Sequence, residues 1–183
     1  TAVLRRALDK ARSAGIRTIL FGNTVKCFTA DIRVPMLTGR DVGRVQAKQL
    51  VSKLKLSEAS AKHPASIEIL LPPVKDNDFT KETFRGIWDI LGPYYASGSV
   101  YSPSGLLTKN SSAKDWKNVT ADSSDQSSIA DAVTARLATH NGHRHRRING
   151  ILAVNDNTAA GVIKALGRMG YTGSSADINP QIS

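Results

Sequence analysis

Three stretches of this 183-residue chain place side-chain amides and carboxylates directly after a short apolar run. Phe21 passes into Gly22-Asn23-Thr24, Leu71 and two prolines pass into Lys75-Asp76-Asn77-Asp78, and Val154 passes into Asn155-Asp156-Asn157. Amides both donate and accept hydrogen bonds and carboxylates accept them, so turns of this composition can hold the hydroxyls of a sugar. Each turn also has a plainer use, because Asn and Asp cap helices and close turns through their own backbone. Ligands of parallel α/β sheets bind outside the carboxyl ends of the strands. Polar turns that follow strands of one sheet therefore gather on one rim, and three of them together weigh against capping alone.

Trp116 lies in a polar segment, residues 102–128, that holds eight serines and little periodicity. It is either an anchor that pins the segment to a core or an exposed platform, whose flat face and N–H suit a sugar ring. His140, His143 and His145 have a spacing that could hold a metal, but no Cys or nearby acid completes the ligand set. A solvated basic loop from His140 to Asn149 is the better reading, and neither metal nor cofactor is expected. For catalysis there is no nucleophile elbow, phosphate loop or HExxH, and Ser104 and Ser112 lack an arranged base. Asp76 and Asp78 could form an acid/base pair, but two carboxylates in one turn more often cap, so the chain is not expected to be an enzyme.

The elements that must position these residues follow from periodicity. Apolar residues at helical spacing predict helices over 2–14, ending at Gly15, and over about 40–54, 80–94, 129–137 and 157–166. Strands are expected at Thr18–Phe21, Ile67–Leu71, Gly98–Tyr101 and Ile151–Val154. A weaker strand at Arg33–Leu37 contains Pro35, which suits an edge or a crossing between lobes. Asn157 or Asp156 can cap the last helix. Strands alternate with helices, which implies an α/β fold with a parallel sheet layered by helices.

Composition narrows the class. Hydrophobic residues make up 40% of the chain, too many for a disordered polymer. No apolar run approaches the roughly 20 residues of a membrane helix. The opening Thr1-Ala2-Val3-Leu4-Arg5-Arg6 is amphipathic rather than a signal peptide, and the absence of an initiator Met suits a mature or excised chain. Cys27 is alone, so no internal disulfide is expected. The formal charge of +10 bears on solubility and non-specific partners. With 5% aromatic residues and no helix-turn-helix or other reading module, nucleic acid is not an expected partner.

The stretch Ile151-Leu152-Ala153-Val154-Asn155-Asp156-Asn157-Thr158-Ala159, with Gly161-Val162-Ile163, resembles a segment of the periplasmic sugar-binding proteins of ABC transporters. These are type I periplasmic binding proteins, and the xylose- and multiple-monosaccharide-binding branch is the most similar. Ala14-Gly15-Ile16 leading into Ile19-Leu20-Phe21 agrees in order with that pattern. So do Val42-Gly43-Arg44-Val45-Gln46-Ala47, Asp76-Asn77-Asp78 with Phe84-Arg85-Gly86, and Leu91-Gly92-Pro93-Tyr94 with Ser97-Gly98. The resemblance implies a two-lobed protein that binds a monosaccharide without turnover in an interlobe cleft and passes it to an ABC permease, in the periplasm or at the cell surface. Residues 1–38 would be a partial N-terminal lobe and 39–183 the C-terminal lobe, so the chain reads as a fragment with an incomplete first lobe.

By position, Asn77, Asp78 and Asn155 would bond sugar hydroxyls and Trp116 would stack on the ring, with Asn23 after the first strand as a further ligand residue. The family's Asp-Arg pair after that strand is Gly22-Asn23 here, so its bidentate arginine has no counterpart. The alternative function is the effector-sensing domain of a sugar-responsive transcription repressor, which shares the fold. An upstream DNA-binding module would mark that alternative.

Overall fold

The structure is a computed structural model that describes residues 2–22, 25–73, 78–122, 125–138, 148–171 and 181–182. It divides into two units, Thr1–Leu37 and Thr38–Ser183. The smaller unit holds α1 (Ala2–Ser13), β1 (Ile19–Gly22) and β2 (Ile32–Pro35). The larger holds α2 (Gly39–Lys53), β3 (Ala65–Leu70), α3 (Phe79–Ala96), β4 (Val100–Tyr101), α4 (Gln126–Leu137), β5 (Gly150–Ala153), α5 (Asp156–Arg168) and β6 (Gln181–Ile182).

In the larger unit the apolar composition of β3 and β5 decides the architecture. A strand with few polar residues is stable only when both of its faces are covered, and these two become the centre of a parallel sheet of order β4-β3-β5-β6. Alternation along β3 divides its side chains between two cores. Ile67, Ile69 and Leu71 pack with Leu50 of α2 and with Phe84, Ile87 and Leu91 of α3. Leu70 instead joins Ile129 and Val133 of α4, Ile151 of β5, and Val162 and Leu166 of α5. The result is a sheet with a helix pair on each face. Asn149, expected in a solvated loop, instead holds β5 to β3: its Oδ1 accepts from the Ser66 amide at 2.8 Å and from Ser66 Oγ at 2.9 Å.

α2 and α3 approach closely because each carries a glycine at the crossing. A Cβ on Gly43 would lie 2.0 Å from the Thr83 carbonyl oxygen, and one on Gly86 would lie 2.0 Å from that of Arg40. Thr38 opens α2 with a capping box: its side chain accepts from the Asp41 amide, and the Asp41 carboxylate accepts from the Thr38 amide. On the outer side of the pair, Asp89 accepts from both Arg40 and Arg44 at 2.7–2.8 Å, and these bonds, Arg40 first, hold its carboxyl below the usual range.

In the smaller unit β1 and β2 pair in parallel, with Phe21 opposite Val34. The Asp31 carboxylate accepts from the Thr18 amide at 2.8 Å and from Thr18 Oγ1 at 2.9 Å. These bonds bring its pKa down to about 2. Arg12 of α1 lies over the Phe28 ring, 4.6 Å from its centroid.

Candidate functional site

β3 and β5 run parallel and in register, with Leu70 opposite Ala153. Both chains therefore leave the sheet at the same edge. A third segment joins them there: the Leu71 amide donates to the Val119 carbonyl at 3.1 Å, and the Ala121 amide donates to the Leu71 carbonyl at 3.0 Å. The rim of the larger unit is built from residues following β5, β3 and Val119, in that order across the sheet. Phe21 belongs to the smaller unit. β1 pairs with β2 in a separate two-stranded sheet, so, contrary to expectation, the three polar turns do not all follow strands of one sheet. A periodic pattern shows that a segment is a strand, but not which sheet it enters.

Asn155 sits at this rim as the N-cap of α5, in place of the expected Asn157 or Asp156, because the helix begins at Asp156 and both of those residues lie inside it. Its extended backbone leads into the helix, and its Oδ1 accepts from the Thr158 amide at 2.9 Å. Capping uses the carbonyl end of the amide only. The Nδ2 donor lies on an exposed residue with no partner among the described residues. Gln46 of α2 holds the preceding residue, with its Nε2 donating to the Val154 carbonyl at 3.2 Å. Thr158, one turn into α5, is buried, and its Oγ1 has no partner among the described residues. Neither Gln46 nor Thr158 stands out as a site residue in the sequence, because each looks like an ordinary polar position on an amphipathic helix.

Asp78 occupies the cap position of α3 but makes no side-chain cap bond. Its carboxylate is 83% exposed and pairs with Lys81 at 3.5 Å, so capping does not account for it. Trp116 lies in a short 3-10 turn, Asp115–Val119, that leads directly into the rim segment. The ring is half-buried against the core between the sheet and the α2–α3 pair, and the Lys117 ammonium lies 5.7 Å from its centroid. Val154, the residue before Asn155, packs against the same core. The Ser112 amide donates to the Asp115 carboxylate at 2.7 Å and closes the turn before Trp116. Asn23, Asp76, Asn77 and His140, His143 and His145 lie outside the described residues.

The structure thus brings Asn155, Asp78 and Trp116 onto segments that enter or leave one end of one sheet. Such an arrangement offers an amide donor, a carboxylate acceptor and an aromatic face, and among the described residues it carries no arranged nucleophile–base pair.

No protein-family model matches the chain, and the curated proteins contain no match. Solved structures do match. A solute-binding protein of an ABC transporter from Clostridium phytofermentans with bound β-D-glucose is 22% identical at a TM-score of 0.57, over 98% of this chain and 49% of that one. A sugar-binding protein of a sugar ABC transporter from Bacillus halodurans is 17% identical at a TM-score of 0.61, again over 98% and 49%. A carbohydrate transporter solute-binding protein from Chloroflexus aurantiacus in complex with D-glucose is 22% identical at a TM-score of 0.58, over 97% and 51%. The chain spans about half the length of these proteins, and over that half it has the α/β fold of the type I periplasmic binding proteins.

Proposed function

We propose that this chain takes part in capturing a monosaccharide without chemical turnover, as the solute-binding component of an ABC importer acting in the periplasm or at the cell surface. The observation that carries this reading is Asn155. Its Oδ1 is committed to the helix cap, while its Nδ2, at the carboxyl end of a central parallel strand, has no partner among the described residues. A sugar hydroxyl is the natural acceptor for such a donor, because it can accept from Nδ2 and donate onward to a carboxylate such as that of Asp78. Trp116 is the stacking surface in this reading, and Asn77, which follows β3 in sequence, adds a second amide.

Sugar recognition of this kind is selective because a polar group left unpaired on binding is costly. Isothermal titration with xylose, glucose, galactose and arabinose tests the reading. Heat with one of them and a weaker affinity in Trp116→Ala are expected; no heat with any of the four counts against it. Unchanged affinity in Trp116→Ala would leave that residue as a core anchor only.

A further inference from the structure

The edge of β3 that faces β4 is paired only at its two ends. β4 covers Ala65 and Ser66, the chain then departs over residues 102–118, and it returns beside Leu71. Backbone groups of alternate residues point to opposite sides of a strand, so the Ile67 and Ile69 carbonyls face the gap. Buried carbonyls need donors, and side chains supply them. Tyr95 Oη donates to the Ile67 carbonyl at 3.0 Å, and Arg136 Nη1 donates to that of Ile69 at 2.9 Å.

Arg136 does more than fill the gap. Its Nη2 donates to the Thr120 carbonyl at 2.9 Å, so one guanidinium spans β3 and the returning segment. At the departing end Glu68, a buried charge in an otherwise apolar stretch, accepts from Ser102 Oγ at 2.6 Å and from the Ser104 amide at 2.8 Å. Glu68 and Arg136 line one small cavity together with Leu70, Val133, Leu137 and Ile151. The excursion between them is serine-rich, with Leu107 its one fully buried apolar side chain before Val119. Trp116 lies on it, four residues before Thr120.

We infer that Glu68 and Arg136 are positioning residues: they pin the two ends of the 102–118 excursion and thereby set where the Trp116 ring lies. For sugar affinity this rests on Trp116 being the stacking surface. For the placement of the ring it does not. Burial lowers the tendency of the Arg136 guanidinium to hold its proton, and the Glu68 charge opposes that. Lysine could keep the charge but offers a single point from which to reach two carbonyls.

The test uses a Trp88→Phe background, in which Trp116 is the sole tryptophan, and reads acrylamide quenching of Trp116 without sugar. Arg136→Met is expected to raise the quenching constant at least two-fold and to shift emission to the red, with Arg136→Lys in between. Val133→Ala, which trims the core on the same helix, is expected to lower the melting temperature while leaving quenching at the parental value. Should Arg136→Met fail to fold, Glu68→Gln and Arg136→Lys carry the same expectation at smaller amplitude. Quenching unchanged in the folded Arg136 and Glu68 variants would overturn the inference. So would a rise in Val133→Ala equal to that in Arg136→Met. Sugar titration of the same proteins separates the two claims: raised quenching with no sugar heat in the parent supports the positioning role and counts against the sugar reading alone.

Discussion

Replacing Gly43 by alanine should destabilise the larger unit although the change is from a poor helix former to the best one. Two effects compete. Alanine in a helix interior is favoured over glycine by about 1 kcal/mol. Against this, the new Cβ would lie 2.0 Å from the Thr83 carbonyl oxygen and 2.9 Å from the Ile87 amide nitrogen, where ordinary contact begins at 3.4 Å. The obstacle is backbone, so no rotamer change relieves it, and α2 must move away from α3 by more than an ångström. Overpacking of this kind costs roughly 1–3 kcal/mol, at the upper end when backbone must yield. The net expectation is a loss of about 2 kcal/mol, or a fall of roughly 4–8 °C in melting temperature for a unit of this size.

Gly167 provides the matched control. It lies in the last turns of α5, and a methyl group added to its Cα would meet nothing within 4 Å, so Gly167→Ala should gain about 0.5–1 kcal/mol. Urea unfolding followed by far-UV circular dichroism measures both variants. If Gly43→Ala proves as stable as the parent, the close approach of α2 and α3 does not limit that pair, and the steric reason given for the paired glycines is wrong. Gln46 lies one turn beyond Gly43 and holds the Val154 carbonyl, so displacement of α2 should also weaken any binding that depends on Asn155.

Further expectations are independent of that one. Asn155→Asp keeps the cap acceptor and removes the Nδ2 donor, so melting should stay within about 2 °C while sugar affinity falls about ten-fold; equal affinity would remove Asn155 from the site. Asn149→Ala deletes the acceptor for two donors of buried Ser66 and should cost about 1–3 kcal/mol in urea unfolding. The Asp31 carboxyl, lowered to about 2 mainly by the Thr18 amide, stabilises the smaller unit above the ordinary value of 3.8. That contribution is lost as pH falls from there towards 2, and Asp31→Asn should flatten the pH dependence of Thr18 amide exchange in this range. Gln46→Ala should lower sugar affinity by loosening the Val154 carbonyl while leaving the cap bond of Asn155 in place, a pairing that the chemical shift of the Thr158 amide can follow.

Local rules decided what could be read from residues alone. Apolar spacing determined the order of helices and strands, because the helical and strand periods are written within windows of a dozen residues. Gly15 ends α1 with a left-handed backbone, φ +76°, as its position after Ala14 implied. Ile151–Ala153 is buried on both faces, as its unbroken apolar run required. Glu68 lies inside another such run, and its neighbours in sequence do not say what its carboxylate meets.

Only the tertiary structure identified such partners. Gln46 meets the Val154 carbonyl across 108 residues of sequence, and Arg136 meets that of Ile69 across 67. Phe21 entered a different sheet from the one that leads to Asn155, and the cap of α5 fell to Asn155 and not to the expected Asn157 or Asp156. A short window specifies the backbone that a residue adopts. Which distant carbonyl its side chain reaches depends on how the sheet closes, and that is settled by the packing of all the elements at once.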